Sequence, residues 1–392
     1  MRINNYVCFF LAGLCSSLFG LNAQVTIGVI EQPVSGALLQ IKNKENVPEG
    51  TNADKGLLLP RVFLDDADKL SPMYSYTGAD TPTADDILTH TGLVVYNMNQ
   101  CLVRKGEDAG VYVWKDGSWS SVQREELAPN VSIFTDPRDD EKYKTGDFGA
   151  AGVWMLENMR ATIYDQSPLA PPNLSYAISN TAKNYIYPAS PIYSPGGNGK
   201  DMATYEKDNT VGLLYNWLAA TNGENPANNV EQGNMAYPTH PLIQGICPKG
   251  WHLPSDKEWT DLENYIIQNT SKYSTMNDIK VPIGPTAIEM RGTHGTAMKA
   301  PCKPVGINTA PTGVGVSFPV TKGGFFGMMV GFSFGGAYGI SDYGYLSYYW
   351  TSSSTSLQGA YHSWMRGLGN QGVYRKDFVR TNFVSVRCKK NS

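Results

Sequence analysis

Apolar residues in the first third of this chain fall in short runs entered from glycine: Gly56-Leu-Leu-Leu-Pro60, Gly92-Leu-Val-Val-Tyr96 and Gly110-Val-Tyr-Val-Trp114. Runs of this length bounded by turn residues predict strands. Lys115-Asp116-Gly117-Ser118 separates the third run from Trp119-Ser-Ser-Val122. Asp-Gly in that position predicts a hairpin, because a type I′ turn needs positive φ at both central residues. Residues 65–90 are rich in Asp, Ser, Thr and Pro and read as a long exposed loop. Residues 24–128 thus form a small β-rich module with thin apolar content. So small a core relies on neighbours or on assembly for stability.

The stretch Glu125 to Asn130 marks a boundary, and a second region runs from 129 to 392. It opens with Val131-Ser-Ile-Phe134, a polar turn over 135–141, and Gly152-Val-Trp-Met-Leu156, which together predict an opening hairpin. Residues 164–209, dominated by Pro, Asn, Ser, Tyr and Gly, predict an extended insertion over the surface. A helical period then appears twice. Val211, Leu214, Tyr215 and Leu218 form one apolar stripe, predicting a helix over 211–220, capped by Asn209 or Thr210 and ended by Asn222-Gly223. The second helix starts at Ser255, whose hydroxyl and the Glu258 carboxylate form a capping box, with Pro254 stapling Trp259. Trp259, Leu262 and Ile266 form its buried stripe, with Asp261 and Glu263 outward. After about residue 280 the chain turns to glycine and aromatics. Residues 314–320, 323–334, 348–353, 359–365 and 383–388 are the strand candidates. Strands, then two helices, then strands predict an α+β fold.

Composition adds limits. A length of 392 residues suits two domains, and 40 Gly, 24 Pro and 23 Tyr favour a loop-rich, strand-rich protein over a helical bundle. A formal charge of −3 gives no electrostatic case for nucleic acid as a partner. No Lys/Arg cluster is long enough for an anionic membrane surface. Residues 1–23 read as a signal peptide, with Arg2 ahead of the apolar run Val7 to Leu21 and cleavage expected after Ala23. Export implies an oxidising compartment, at the cell surface, outer membrane or beyond. Cys8 and Cys15 leave with the signal, while Cys101, Cys247, Cys302 and Cys388 remain with three possible full connectivities.

The motifs Val153-Trp-Met-Leu-Glu-Asn-Met159, Leu214-Tyr-Asn-Trp-Leu-Ala-Ala220 and Gly245-Ile-Cys-Pro-Lys-Gly-Trp-His-Leu-Pro-Ser-Asp-Lys-Glu-Trp259 occur in one order with Tyr349-Trp-Thr-Ser-Ser353 and Ser385-Val-Arg-Cys388. In this set the chain resembles the FISUMP family, the Fibrobacter succinogenes major paralogous domain, in its Bacteroidetes form. The resemblance implies a C-type-lectin-like domain over 129–392, with two helices and a twisted antiparallel sheet whose terminal strands meet. It also implies a Cys247–Cys388 disulfide, closing a loop of about 140 residues worth nominally about 4–5 kcal/mol. Cys101 and Cys302 are then left over, and nothing in the sequence fixes their distance.

Catalytic signatures are missing. His90, His240, His252, His294 and His362 form no i, i+4 pair, and there is no Gly-x-Ser-x-Gly elbow or P-loop. Residues 251–259 are also similar to a helix start in formylglycine-generating enzymes, which use a close pair of reactive cysteines. Only Cys388 stands near the carboxyl end here. The calcium motifs of sugar-binding C-type lectins are not matched: Glu224-Asn225-Pro226 has the wrong order, and Trp350 is followed by Thr-Ser-Ser. Asp136, Asp139, Asp140 and Glu141 read as a solvated turn. No catalytic residue, metal or cofactor is therefore expected.

Ligand contact is expected instead from the aromatic stretch 338–350, with Tyr338, Tyr343, Tyr345 and Tyr348 as candidates, since exposed tyrosines offer stiff amphipathic area. The expected function is a non-catalytic surface recognition or adhesion protein, binding a glycan or a host or surface protein through loops at 164–209 and 322–346. Residues 24–128 would serve an assembly partner. The alternatives are a structural subunit of a surface appendage and an exported enzyme related to formylglycine-generating enzymes. That enzyme would hold Cys302 close to Cys388.

Overall fold

The computed structural model describes residues 25–45, 50–64, 66–74, 82–99, 101, 109–123, 126–165, 170–191, 200–230, 242–285, 289–307, 314–336, 339–355, 361–369 and 371–392. The signal peptide expected over 1–23 lies outside them. Two compact units divide at Pro60. The boundary expected at 128/129 falls inside the second.

In the first unit, β1 (Val25–Ile27) and β2 (Leu39–Ile41) pair in parallel, Val25 beside Leu39 and Ile27 beside Ile41. The glycine-led run at 56–60 forms no strand.

The second unit begins with a four-stranded sheet in the order β3 (Arg61–Val62), β4 (Val94–Asn97), β5 (Gly110–Lys115), β6 (Ser118–Ser121). The Asp-Gly hairpin forms as the sequence predicts, with φ of 52° at Asp116 and 78° at Gly117. The loop expected at 65–90 is corrected. Leu64, Ala67 and Leu70 are buried with Val95, Tyr112, Trp114 and Trp119, and α1 (Ala84–His90) starts at a capping box between Thr83 and Asp86. Loop-like composition hid a helix start, because Thr and Asp serve caps as well as loops.

The chain continues through β7 (Val131–Thr135), β8 (Lys142–Asp147) and β9 (Val153–Met155). The opening hairpin therefore joins β7 to β8, and the run at 152–156 is the third strand of a meander. The insertion expected to lie over the surface instead supplies core. It carries β10 (Asn173–Leu174), β11 (Asn184–Ile186) and α2 (Ala203–Lys207), and residues 184–190 are all buried. Tyr185 and Tyr187 bury apolar ring area that a composition reading counts as polar.

The helix expected over 211–220 is mostly not helical. Gly212 at φ 73° breaks it, and β12 (Leu214–Tyr215) exchanges backbone hydrogen bonds with Val384. Only α3 (Trp217–Thr221) remains, with the Asn216 side chain accepting from the Ala219 N–H at 2.9 Å. The second helix forms as expected. After β13 (Trp251–His252), α4 (Asp256–Gln268) begins with the Ser255–Glu258 capping box. Then come β14 (Glu289–Arg291), β15 (Phe332–Ser333), β16 (Ile340–Ser341), β17 (Ser347–Ser354), β18 (His362–Leu368), β19 (Val373–Val379) and β20 (Lys389–Lys390). The sequence missed β19 because Arg375, Lys376 and Asp377 make it look polar.

Two sheets frame the domain, in the orders β13-β20-β9-β8-β7 and β14-β19-β18-β17. Helix α4 packs against both: the Trp259 ring lies 5.1 Å from Trp154 of β9 and 5.4 Å from Tyr349 of β17. On the other face of the second sheet, Tyr348, Trp350 and Met365 join Tyr215, Trp217 and Val386 in a further core. All eight residues of β17 are consequently buried. The chain end returns as expected, with β20 pairing β13 and β9 and the Asn391 N–H donating to the Gly250 carbonyl at 2.9 Å. The fold is mixed α+β.

Candidate functional site

Helix α4 docks on its sheet through buried charge. Asp256, Thr260 and Glu263 repeat along one helix face, and three strands bring Arg291, Arg366 and Arg375 up to them. Arg366 and Arg375 stand directly opposite each other across β18 and β19. Like charges in that position repel. Asp256 resolves this, accepting from Arg366 at 2.6 Å and from Arg375 at 2.7 Å. Glu263 accepts from Arg366 at 2.7 Å, from Arg291, and from His294 at 3.0 Å. The outward Glu263 of the sequence reading is thus corrected. Its stripe is polar, but the sheet meets that stripe with arginines. Burial alone would raise the Glu263 carboxyl, but Arg291, Arg366 and His294 outweigh it and hold it well below the usual range. Arg375 also stacks over Trp364, 3.7 Å from its ring centre.

A second polar knot joins the helix start to the chain end. His252 bonds to Glu258 at 2.9 Å and to Asn391 at 2.8 Å, and Lys389 donates to Glu258 at 2.9 Å. Burial opposes the Glu258 charge, but His252 and Lys389 together pull its pKa down to about 2. His252 is buried between structural partners. The acidic turn at 136–141 is solvated at Asp139 and Asp140 as expected, but not at Asp136. Asp136 is fully buried, gripped by Arg138 at 2.6 Å, and Arg138 reaches the Ile163 and Ile246 carbonyls at 2.8 and 3.0 Å. No cluster of three or more His, Cys, Asp or Glu able to hold a metal occurs among the described residues.

Of the tyrosine candidates, Tyr338 lies outside the described residues. Tyr343 is buried and donates to the Val305 carbonyl at 2.7 Å. Tyr348 is buried with its hydroxyl on Asp342 at 2.9 Å, and burial followed by that carboxylate raises its pKa. Tyr345 is 47% exposed. Residues 343–345 form a turn, and the strand that follows is buried along its whole length.

The open surface holds Tyr345 and Phe334, which lie in the stretch expected to bind, and adds residues of β19 that the sequence did not single out. On the side of β19 turned away from α4, Tyr374 and Phe378 are half-buried and flank exposed Lys376. Gly367 of β18 lies beside Tyr374, where a Cβ would sit 3.2 Å from the Tyr348 ring, so glycine lets the rings close up. The Phe378 ring lies 5.2 Å from Phe332, which lies 4.7 Å from Phe334, 44% exposed. Tyr345 lies in the turn after Asp342, whose carbonyl accepts from the Tyr345 N–H at 2.9 Å. The signal that could have found this strip is the alternation Tyr374, Lys376, Phe378. At the strand end His362 bonds to Asp377 at 2.7 Å, but the neighbouring Ser363 hydroxyl is buried and accepts from Arg380. The arrangement offers aromatic contact area and no assembled nucleophile.

Both disulfides hold the frame. Cys247–Cys388 joins the approach to α4 with the chain end, and Cys101–Cys302 joins the small sheet region to the segment after β14. Cys302 and Cys388 therefore lie in separate bridges. No helix among the described residues is long and apolar enough to cross a membrane.

The family model described as Fibrobacter succinogenes major domain matches residues 150–390, and the chain belongs to that family. A second model, described as phage tail like trimerisation region, matches residues 26–134. No curated protein and no solved structure matches the chain. The two family matches point to a surface or adhesin-like protein. Two disulfides and the family fit an exported one.

Proposed function

We propose that this protein is an exported, non-catalytic recognition protein of the cell surface. Its C-terminal domain, on a C-type-lectin-like frame, binds a glycan or a surface protein, and its N-terminal region assembles copies of the chain. One observation carries the recognition reading. Tyr374, Phe378 and Phe334 form a partly open aromatic strip on the side of β19 turned away from α4, with Met290 of β14 exposed beside Tyr374 and Tyr345 exposed in the turn before β17. Rigid aromatic side chains give contact area at low entropic cost, and the sheet beneath holds them in place. The separate engagement of Cys302 and Cys388 supports a non-catalytic role.

The test is binding of the mature chain to a panel of glycans and of host and surface proteins. At least one saturable partner is expected, weakened tenfold or more by Phe334→Ala with Tyr345→Ala, on the order of 1.4 kcal/mol. No saturable partner across the panel sinks the reading. A second reading, a structural subunit of a surface appendage, draws on the trimerisation-region match. It predicts that the protein co-purifies with sheared appendages and that the double alanine variant is incorporated normally.

A further inference from the structure

The described residues of 61–121 are stitched to one another. Leu64, Ala67, Leu70, Val95, Tyr112, Trp114 and Trp119 form a core of their own. Among the described residues, the other three apolar cores draw only on residues from Leu127 onward. A separate contiguous core marks a separate folding body. Polar bonds close the small body as well. The Trp119 indole N–H donates to the Lys69 carbonyl at 2.8 Å, and Asn97 Oδ1 accepts from the Leu64 N–H at 3.1 Å.

Cys101 belongs to this small body and Cys302 to the C-terminal domain. The Cys101 N–H donates to Asn99 Oδ1 at 2.9 Å, and Asn99 Nδ2 donates to the Leu64 carbonyl at 2.7 Å. On the far side, the Ala300 N–H donates to the Gly327 carbonyl at 3.0 Å, and the Ala300 carbonyl accepts from the Gly315 N–H at 2.9 Å. Each sulfur is therefore held by its own body, and the disulfide between them spans 201 residues of sequence. It also joins the two family regions, since Cys101 lies within 26–134 and Cys302 within 150–390. Cys247–Cys388 lies inside the second region alone. The two bridges differ in access. Cys247 and Cys388 are fully enclosed, whereas Cys302 is 8% exposed and Cys101 half-buried. Exchange requires a thiolate to reach a sulfur, so access orders the reduction of the two bridges.

We propose that Cys101–Cys302 is a thiol-exchange site, a lock between the trimerisation-like region and the C-terminal domain that a dithiol reductant opens. A thiolate of the dithiol attacks Sγ of Cys101, the more exposed sulfur. The Cys101–Cys302 bond breaks, and Cys302 leaves as a thiolate and takes up a proton. The second thiol of the reductant displaces Cys101, which leaves in the same way, and the reductant closes to a disulfide. Two electrons and two protons pass from the dithiol to the bridge. With the lock open, the small body stays attached through the chain that follows β6 and swings relative to the C-terminal domain, while both cores stay intact. The proposal rests on the bridges and their surroundings and is independent of what the domain binds.

The test exposes the folded mature chain to graded dithiothreitol, stops the reaction with iodoacetamide and maps the alkylated peptides. Cys101 and Cys302 are expected to be alkylated about tenfold or more faster than Cys247 and Cys388. Small-angle scattering should give a larger radius of gyration for the partially reduced wild type, and for Cys101→Ser with Cys302→Ser, than for the oxidised chain. Hydrogen exchange should find β4, β5 and β8 still protected in both. Equal alkylation rates, or prior opening of Cys247–Cys388, overturn the exchange site. Unchanged dimensions with the bridge open overturn the lock. Loss of protection in β4 and β5 on opening also overturns it, since the bridge would then be a staple of the small core.

Discussion

The two ends of this chain handle charge and apolar surface in opposite ways. Around α4, three arginines and two carboxylates are buried with the aromatic core. In residues 25–60 the aliphatic side chains are outside and a lysine is within. The difference follows from layering. On the side facing α4 the β17–β19 sheet is covered by elements of its own chain, so Arg366 and Arg375 are enclosed and must be matched to carboxylates. The β1–β2 ribbon has two strands, too few to enclose a core of their own, so its apolar side chains stay exposed among the described residues. A domain that completes its own core can carry a binding surface. A ribbon that cannot is suited to assembly.

The largest effect that sharpens this contrast is expected at Glu263. Glu263→Ala leaves Arg291 buried without its carboxylate and Arg366 with Asp256 alone, and about 3–5 kcal/mol of stability is expected to be lost in urea unfolding. The ribbon variant Ile27→Asp should barely move the same transition. Equal losses from both would break the comparison. Acid provides the next test. The folded pKa of Glu258 lies below its ordinary 4.5, at about 2. Its contribution, roughly 3 kcal/mol, is fully present above pH 4.5 and lost as pH falls towards 2. Thermal melts across that window should show the fall for wild type, reduced in Glu258→Gln. Replacing Cys247 and Cys388 together by Ser should cost about 2–4 kcal/mol in reversible unfolding. The smallest effects compare the two capping boxes. Ser255→Ala, in a partly buried cap, is expected to cost about 1–2 kcal/mol, and Thr83→Ala, in an exposed one, about 0.5 kcal/mol. Equal values would show that burial adds nothing to these caps.

Local signals survived translation into structure. The Asp116-Gly117 hairpin, the Ser255–Glu258 cap and the stripe of Trp259, Leu262 and Ile266 depend on residues within a few positions of one another, and they stand as the sequence predicts. Readings that depended on distant partners fared worse. Gly212 and the backbone of Val384 turned an expected helix into a short strand. The polar residues of β19 hid a central strand, since nothing nearby announced that Asp256 would pair with Arg375. Two of the tyrosine candidates, Tyr343 and Tyr348, are buried for the same reason. Tyr348 is amphipathic in any context, and only Phe332, Phe378 and the elements over them decide that it lies inside.

The sequence by itself determined the family motifs, the α+β order, and the Asp116-Gly117 turn and Ser255–Glu258 cap. The tertiary structure decided which polar stripe is buried, which aromatic residues remain open, and that the ribbon turns its apolar face outward. Periodicity reports which side chains share a face. Whether water, another layer of the same chain or another copy meets that face depends on contacts between residues far apart in sequence.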